Sequence, residues 1–150
     1  MGWVRQKIAD RQTAIMSLTP LWNSLRDSIG DAITEFTGLV SQPGVDYMDC
    51  RARGPMCMRV QKPGKFIEVF LSQSDQKVKS SIGVINLGGE TGTSDDHEIC
   101  SYRLTEDRSA LEFCISGEAH DLSADEVAQR ALEQFLLEPF PTQYIRHEKL

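Results

Sequence analysis

One stretch decides most of what this chain can become. Lys65-Phe-Ile-Glu-Val-Phe-Leu-Ser72 is apolar on both phases of a two-residue repeat. Ile67, Val69 and Leu71 take one face, and Phe66 and Phe70 take the other around Glu68. A strand of that kind belongs in the middle of a sheet and is covered above and below. Two arrangements supply the covers: one helix on each face, or helices on one face and a second subunit on the other.

The surrounding sequence fits that placement. Met56, Met58 and Val60 alternate with Cys57, Arg59 and Gln61, which predicts a strand. Pro63-Gly64 predicts a type II turn, and because that turn suits a tight hairpin poorly, a longer loop or a bulge is expected. Val78, Ser80, Ile82 and Val84 alternate with Lys77, Lys79 and Ser81, and a slip in phase beside Gly83 predicts a bulge. Two further strands are read at 99–104, with Cys100, Tyr102 and Leu104 on one side, and at 111–115. A short edge strand is read at 45–51, interrupted by the run to Pro55. Consecutive strands joined by short turns make a meander, so the sheet, over residues 56–116, is antiparallel.

Helices flank it. Thr19 as N-cap and Pro20 at the first helical position predict a helix start, with Leu21, Leu25, Ile29, Ile33 and Phe36 on its buried stripe and Gly38 as a left-handed stop. Residues 1–18 form a separate, weakly patterned segment: Trp3, Val4, Ile8, Ile15 and Leu18 at roughly helical spacing, with Arg5, Lys7 and Arg11 adding positive charge. Such a basic amphipathic arm suits a membrane surface or a partner, or simply packs on the domain. At the other end Ser123 and Glu126 make a capping box, stapled by Leu122 and Val127, and open a helix that Pro139 ends. Residues 139–150 read as an extended tail. The fold class is α+β: an N-terminal helix, an antiparallel meander of five or six strands, and a capped C-terminal helix, in one domain over residues 1–150.

Charge narrows the function classes. The net charge is −6, which argues against a nucleic-acid binder. Residues 1–87 carry 11 basic and 8 acidic side chains, whereas residues 88–150 carry 5 and 14. No window approaches the roughly 18 apolar residues of a membrane span. Four scattered cysteines without a CxxC read as reduced thiols, and the cytoplasm is the expected compartment.

Chemistry has few places to hide. The loop from Gly88 to Glu98 is rich in glycine and hydroxyls but lacks the Lys-Ser/Thr and the following helix of a phosphate cradle. Asp95, Asp96, His97 and Glu98 offer metal-ligand atoms, but neighbours along a strand point to opposite faces and converge poorly. Cys57 has Arg51, Arg53 and Arg59 nearby, and is the better placed of the thiols for reactivity; the ordinary reading is a buried, inert cysteine. No catalytic residue, metal ligand or cofactor is assigned. Arg59, Lys77 and Lys79 share one phase and form, with Tyr102, the candidate ligand-binding set; Phe66 and Phe70 are the candidate interaction residues. The expected function is a non-catalytic protein-interaction or binding module whose partner is another protein or a second copy of the chain. The rival reading is a small-molecule site, enzymatic or not, between sheet and helices, where Tyr102, Cys57, His97 and His120 would act.

Overall fold

The structure, a computed structural model, describes residues 2–39, 48–86, 89–93 and 95–137. Helix α1 (Gly2–Leu39) leads into strands β1 (Asp49–Gly54), β2 (Cys57–Lys62), β3 (Lys65–Ser72), β4 (Lys77–Asn86), β5 (Gly89–Thr93), β6 (His97–Leu104), β7 (Leu111–Cys114) and β8 (Asp121–Leu122), and helix α2 (Ala124–Leu137) follows. The strands form one antiparallel sheet in the order β1-β2-β3-β4-β6-β7-β8, with β5 paired to β4 off that path. The fold is therefore the expected α+β meander between two helices. It has more strands than expected because β5 occupies part of the stretch read as loop and β8 adds a two-residue ladder. The turn expected at 41–44, the first three residues of the strand expected at 45–51 and the tail at 139–150 lie outside the described residues.

The doubly apolar segment is β3, bonded to β2 on one side and β4 on the other. Its Ile67, Val69 and Leu71 share one core with Met58 and Val60 of β2, Val78 of β4, Tyr102 of β6 and Phe113 of β7. Both helices close that same face: Leu21, Trp22, Leu25, Ile29 and Ile33 of α1 meet Val127, Ala128, Ala131, Leu132 and Phe135 of α2. Full burial of a side chain of this size is worth about 1.5–3 kcal/mol, so this single layer of contacts carries the fold. Among the described residues, no helix covers the opposite face of the sheet.

Local signals account for most boundaries. The capping box closes in both directions, Ser123 N–H to Glu126 Oε1 at 3.1 Å and Glu126 N–H to Ser123 Oγ at 3.1 Å, while Leu122 and Val127 are buried beside it. The bulge expected near Gly83 is a register shift between Gly83 and Val84 against β5, while the pairing with β3 runs through unbroken. Pro63-Gly64 departs from expectation. Lys62 pairs directly with Lys65, so the connection is a two-residue hairpin with Gly64 at φ +85°, and the Gly64 carbonyl accepts the Ile85 N–H at 2.9 Å. The strand before Pro55 also runs on to Gly54, absorbing Arg53 in a register shift.

The largest correction concerns α1. Thr19-Pro20 does not start a helix; the helix runs from Gly2 to Leu39 with Pro20 inside it, and Gly38 is helical rather than left-handed. An interior proline costs about 3 kcal/mol. Leu18 packs at the core edge and Leu21, Trp22 and Leu25 are buried in it, so docking on the body offsets that cost. A contact about three turns further back also ties the helix to the body: Asp10 is ion-paired with Arg108 in the turn between β6 and β7.

Candidate interaction surfaces

The face of the sheet away from the helices carries five of the six residues singled out from sequence. Arg59 and Phe66 lie diagonally across β2 and β3, and the Arg59 guanidinium carbon sits 3.8 Å from the Phe66 ring centroid. The other side of that ring presses on Gly83, where an added Cβ would fall 2.0 Å from Phe66 Cζ. Arginine, phenyl ring and bare backbone thus form a closed stack, and Phe66 has no exposed surface. Glu68 holds it laterally: its carboxylate lies 3.5 Å from Arg59 Nη2 and 3.7 Å from Arg53 Nε. Phe70 is half-buried between its cross-strand neighbours Cys57 and Lys79.

Lys77 and Lys79 of β4 share this face, as the alternation predicted, and each already has a carboxylate. Lys77 pairs with Glu98 of β6, and Lys79 Nζ lies 2.6 Å from Asp75. Glu98 raises the Lys77 pKa, and hydrogen bonds from Lys79 and Ser72 lower that of Asp75. Tyr102 stands apart from the other three. It belongs to the helix side of the sheet, 5% exposed, and its hydroxyl donates to the Ser72 carbonyl at 3.2 Å. Burial, then the charge of Asp75, raises its pKa.

The thiols are quiet. Burial and the adjacent Glu68, whose Oε2 lies 3.8 Å from Sγ, push Cys57 up to about 11 against the weaker pull of Arg53 and Arg59. The arginines that favoured reactivity in the sequence are thus outweighed by a cross-strand carboxylate. Burial takes Cys100 to about 12. Alkylation of Cys57 by iodoacetamide is expected to rise about tenfold per pH unit from pH 8 to 10, because thiolate is the scarce species throughout that range. A rate that levels off by pH 9 would contradict this environment.

Nor do the remaining candidates converge. His97 and Glu98 open β6, and among the described residues no three His, Cys, Asp or Glu side chains gather as a metal site. A cleft of about 640 Å³ between α2 and the sheet is lined by Ser80, His97, Glu98, Arg130 and Glu133. A second cavity of about 530 Å³, between α1 and β6, contains Tyr102. Neither holds another of Tyr102, Cys57, His97 and His120, and His120 lies on the surface beside Glu118.

Two features stand out instead: Lys62, which sequence reading did not select, and the arm at residues 1–18, which it set apart only as a weakly patterned amphipathic segment. The first is buried Lys62, 3% exposed, whose Nζ donates to the Phe135 carbonyl at 2.6 Å and lies 4.6 Å from that ring's centroid. It holds the last turn of α2, where helix carbonyls lack intrahelical partners. The second is the N-terminal half of α1. Val4, Ile8, Arg11, Ile15, Leu18, Trp22, Leu25, Ile29, Ala32 and Phe36 follow one another in alternating steps of four and three. From Leu18 to Ala32 that seam is docked on the body, and Phe36 lines the groove between α1 and α2. Before Leu18, Arg11 and Ile15 run along the rim of the cavity beside β6, with Ile15 still 60% exposed. The seam then continues into solvent: residues 2–9 are exposed, with Ile8 at 54%, and Trp3 at 73% and Met16 at 78% flank the seam. The repeat itself was the missed signal, since it crosses Thr19-Pro20 without a change of step.

No described helix is long and apolar enough to cross a membrane. No protein-family model matches the sequence, and comparison with characterised proteins and with solved structures finds no match.

Proposed function

We propose that this chain is a non-catalytic protein-interaction module that self-associates, with the N-terminal half of α1 as its docking element. The observation that carries the reading is the seam of α1, which lies in the core from Leu18 to Ala32 while Val4, Ile8 and Ile15 of the same seam, and Trp3 and Met16 beside it, are exposed. Large apolar side chains presented at helical spacing on one projecting element are the usual form of a helix awaiting a partner. The stack over Phe66 supports the same assignment by elimination, because that ring has no surface to offer. The acidic balance of the chain fits a protein partner better than nucleic acid. Four free cysteines fit a reducing compartment, the cytoplasm.

Light scattering behind size exclusion tests it. The wild-type chain is expected to run above the 16.8 kDa monomer mass in a concentration-dependent way. Ile8→Glu, which puts a charge on an exposed position, is expected to weaken association at least tenfold, about 1.4 kcal/mol, without changing the fold. A wild-type chain that stays at 16.8 kDa at every concentration would overturn self-association.

A further inference from the structure

We infer that the projecting arm of one copy seats in the groove between α1 and α2 of a second copy; this rests on the self-association proposed above and names its two surfaces. The groove encloses about 420 Å³, and its floor is apolar: Ala32 and Phe36 from α1, Ala128, Leu132 and Leu136 from α2. Asp31, Glu35, Asp125 and Glu133 stand along it, and none of its described lining residues is basic. An apolar trough between two helices, edged by carboxylates, fits an amphipathic helix that carries positive charge.

The chain contains such a helix. Gly2–Ala9 is exposed along two turns, about 12 Å, and combines Trp3, Val4 and Ile8 with Arg5 and Lys7. The α2 wall of the groove is 14 residues long, about 20 Å, so it accommodates that length. The arm cannot reach its own groove. Ile8 and Ala32 belong to one continuous helix and are about 36 Å apart along its axis. The contact is therefore between copies. Charge also selects the groove over a second arm: Arg5 and Lys7 meet carboxylates in the one case and each other's like charge in the other, since Asp10 is engaged with Arg108.

Complementation distinguishes these pairings. An arm variant, Val4→Glu with Ile8→Glu, and a groove variant, Asp31→Lys with Glu35→Lys, change exposed or half-exposed positions, and circular dichroism verifies that each keeps its fold. Each alone is expected to sediment at 16.8 kDa. Mixed in equal amounts they are expected to form a complex of twice that mass, because the intact arm of the groove variant enters the intact groove of the arm variant. The emission of exposed Trp3 in the groove variant shifts to the blue on mixing only. A groove variant that associates like wild type, or a mixture that stays at 16.8 kDa while wild type associates, overturns arm-in-groove pairing and leaves self-association standing. A monomeric wild type overturns both.

Discussion

Gly83→Ala is expected to lower the urea midpoint of unfolding by about 1.5 M, from a loss of about 3 kcal/mol and a slope near 2 kcal/mol per M. Gly83 pairs with Phe66 across β3 and β4, and a methyl group there would lie 2.0 Å from Cζ and 2.3 Å from Cε1 of the ring. The ring must therefore move. It has little room to do so, because Arg59 lies over it 3.8 Å from its centroid and Glu68 fixes that guanidinium. Lifting the phenyl ring off the backbone exposes apolar surface and separates a desolvated cation from its aromatic partner, and both changes are unfavourable. The effect should belong to the pair. In a Phe66→Ala background the same Gly83→Ala change is expected to cost under about 1 kcal/mol, giving a clear coupling in a double-mutant cycle. An equal loss in both backgrounds would contradict the stack.

Leu25→Ala is expected to cost about 3–4 kcal/mol, and Ile8→Ala under about 0.5 kcal/mol, although the two residues sit on the same seam of one helix. Leu25 has no exposed surface and belongs to the core shared by α1, α2 and the sheet, so truncation leaves a cavity that a packed interior closes only in part. Ile8 is 54% exposed and leaves none. Both unfolding curves are to be taken at concentrations dilute enough for monomers, since association adds stability by mass action and would inflate the Ile8 effect. Equal losses would mean that the front half of α1 is packed on the body after all.

The parts of this fold legible in the sequence are those set by near neighbours. Ser123, Glu126, Leu122 and Val127 specify the start of α2 within six residues, and the structure closes that box as predicted. The alternation of β2 and β4 placed Arg59, Lys77 and Lys79 on one face because the strand repeat is strictly two. What escaped depends on residues far apart in the chain. Thr19-Pro20 is a good local helix start, yet the helix continues through it, with Trp22 and Leu25 in the core on one side and Asp10 against Arg108 on the other. Phe66 looked like a side chain in need of a covering layer. Its cover is a diagonal arginine and a glycine one strand away, a pairing visible only once the register is known. The positions of Glu68 beside Cys57 and of Lys62 under Phe135 likewise follow from register and helix docking rather than from sequence spacing.

Hydrogen exchange at the backbone amides of Gly2–Ala9, followed in dilute and in concentrated solution, tests most directly whether the front of α1 is a docking element. Two helical turns whose residues are exposed have little stability of their own, so rapid exchange is expected in the dilute protein. Protection rising with concentration, in step with the mass measured by sedimentation and absent in Ile8→Glu, is the predicted result. Exchange in that segment that is equally slow at both concentrations, or equally fast while the chain is demonstrably associated, would place the interface elsewhere and contradict the assignment.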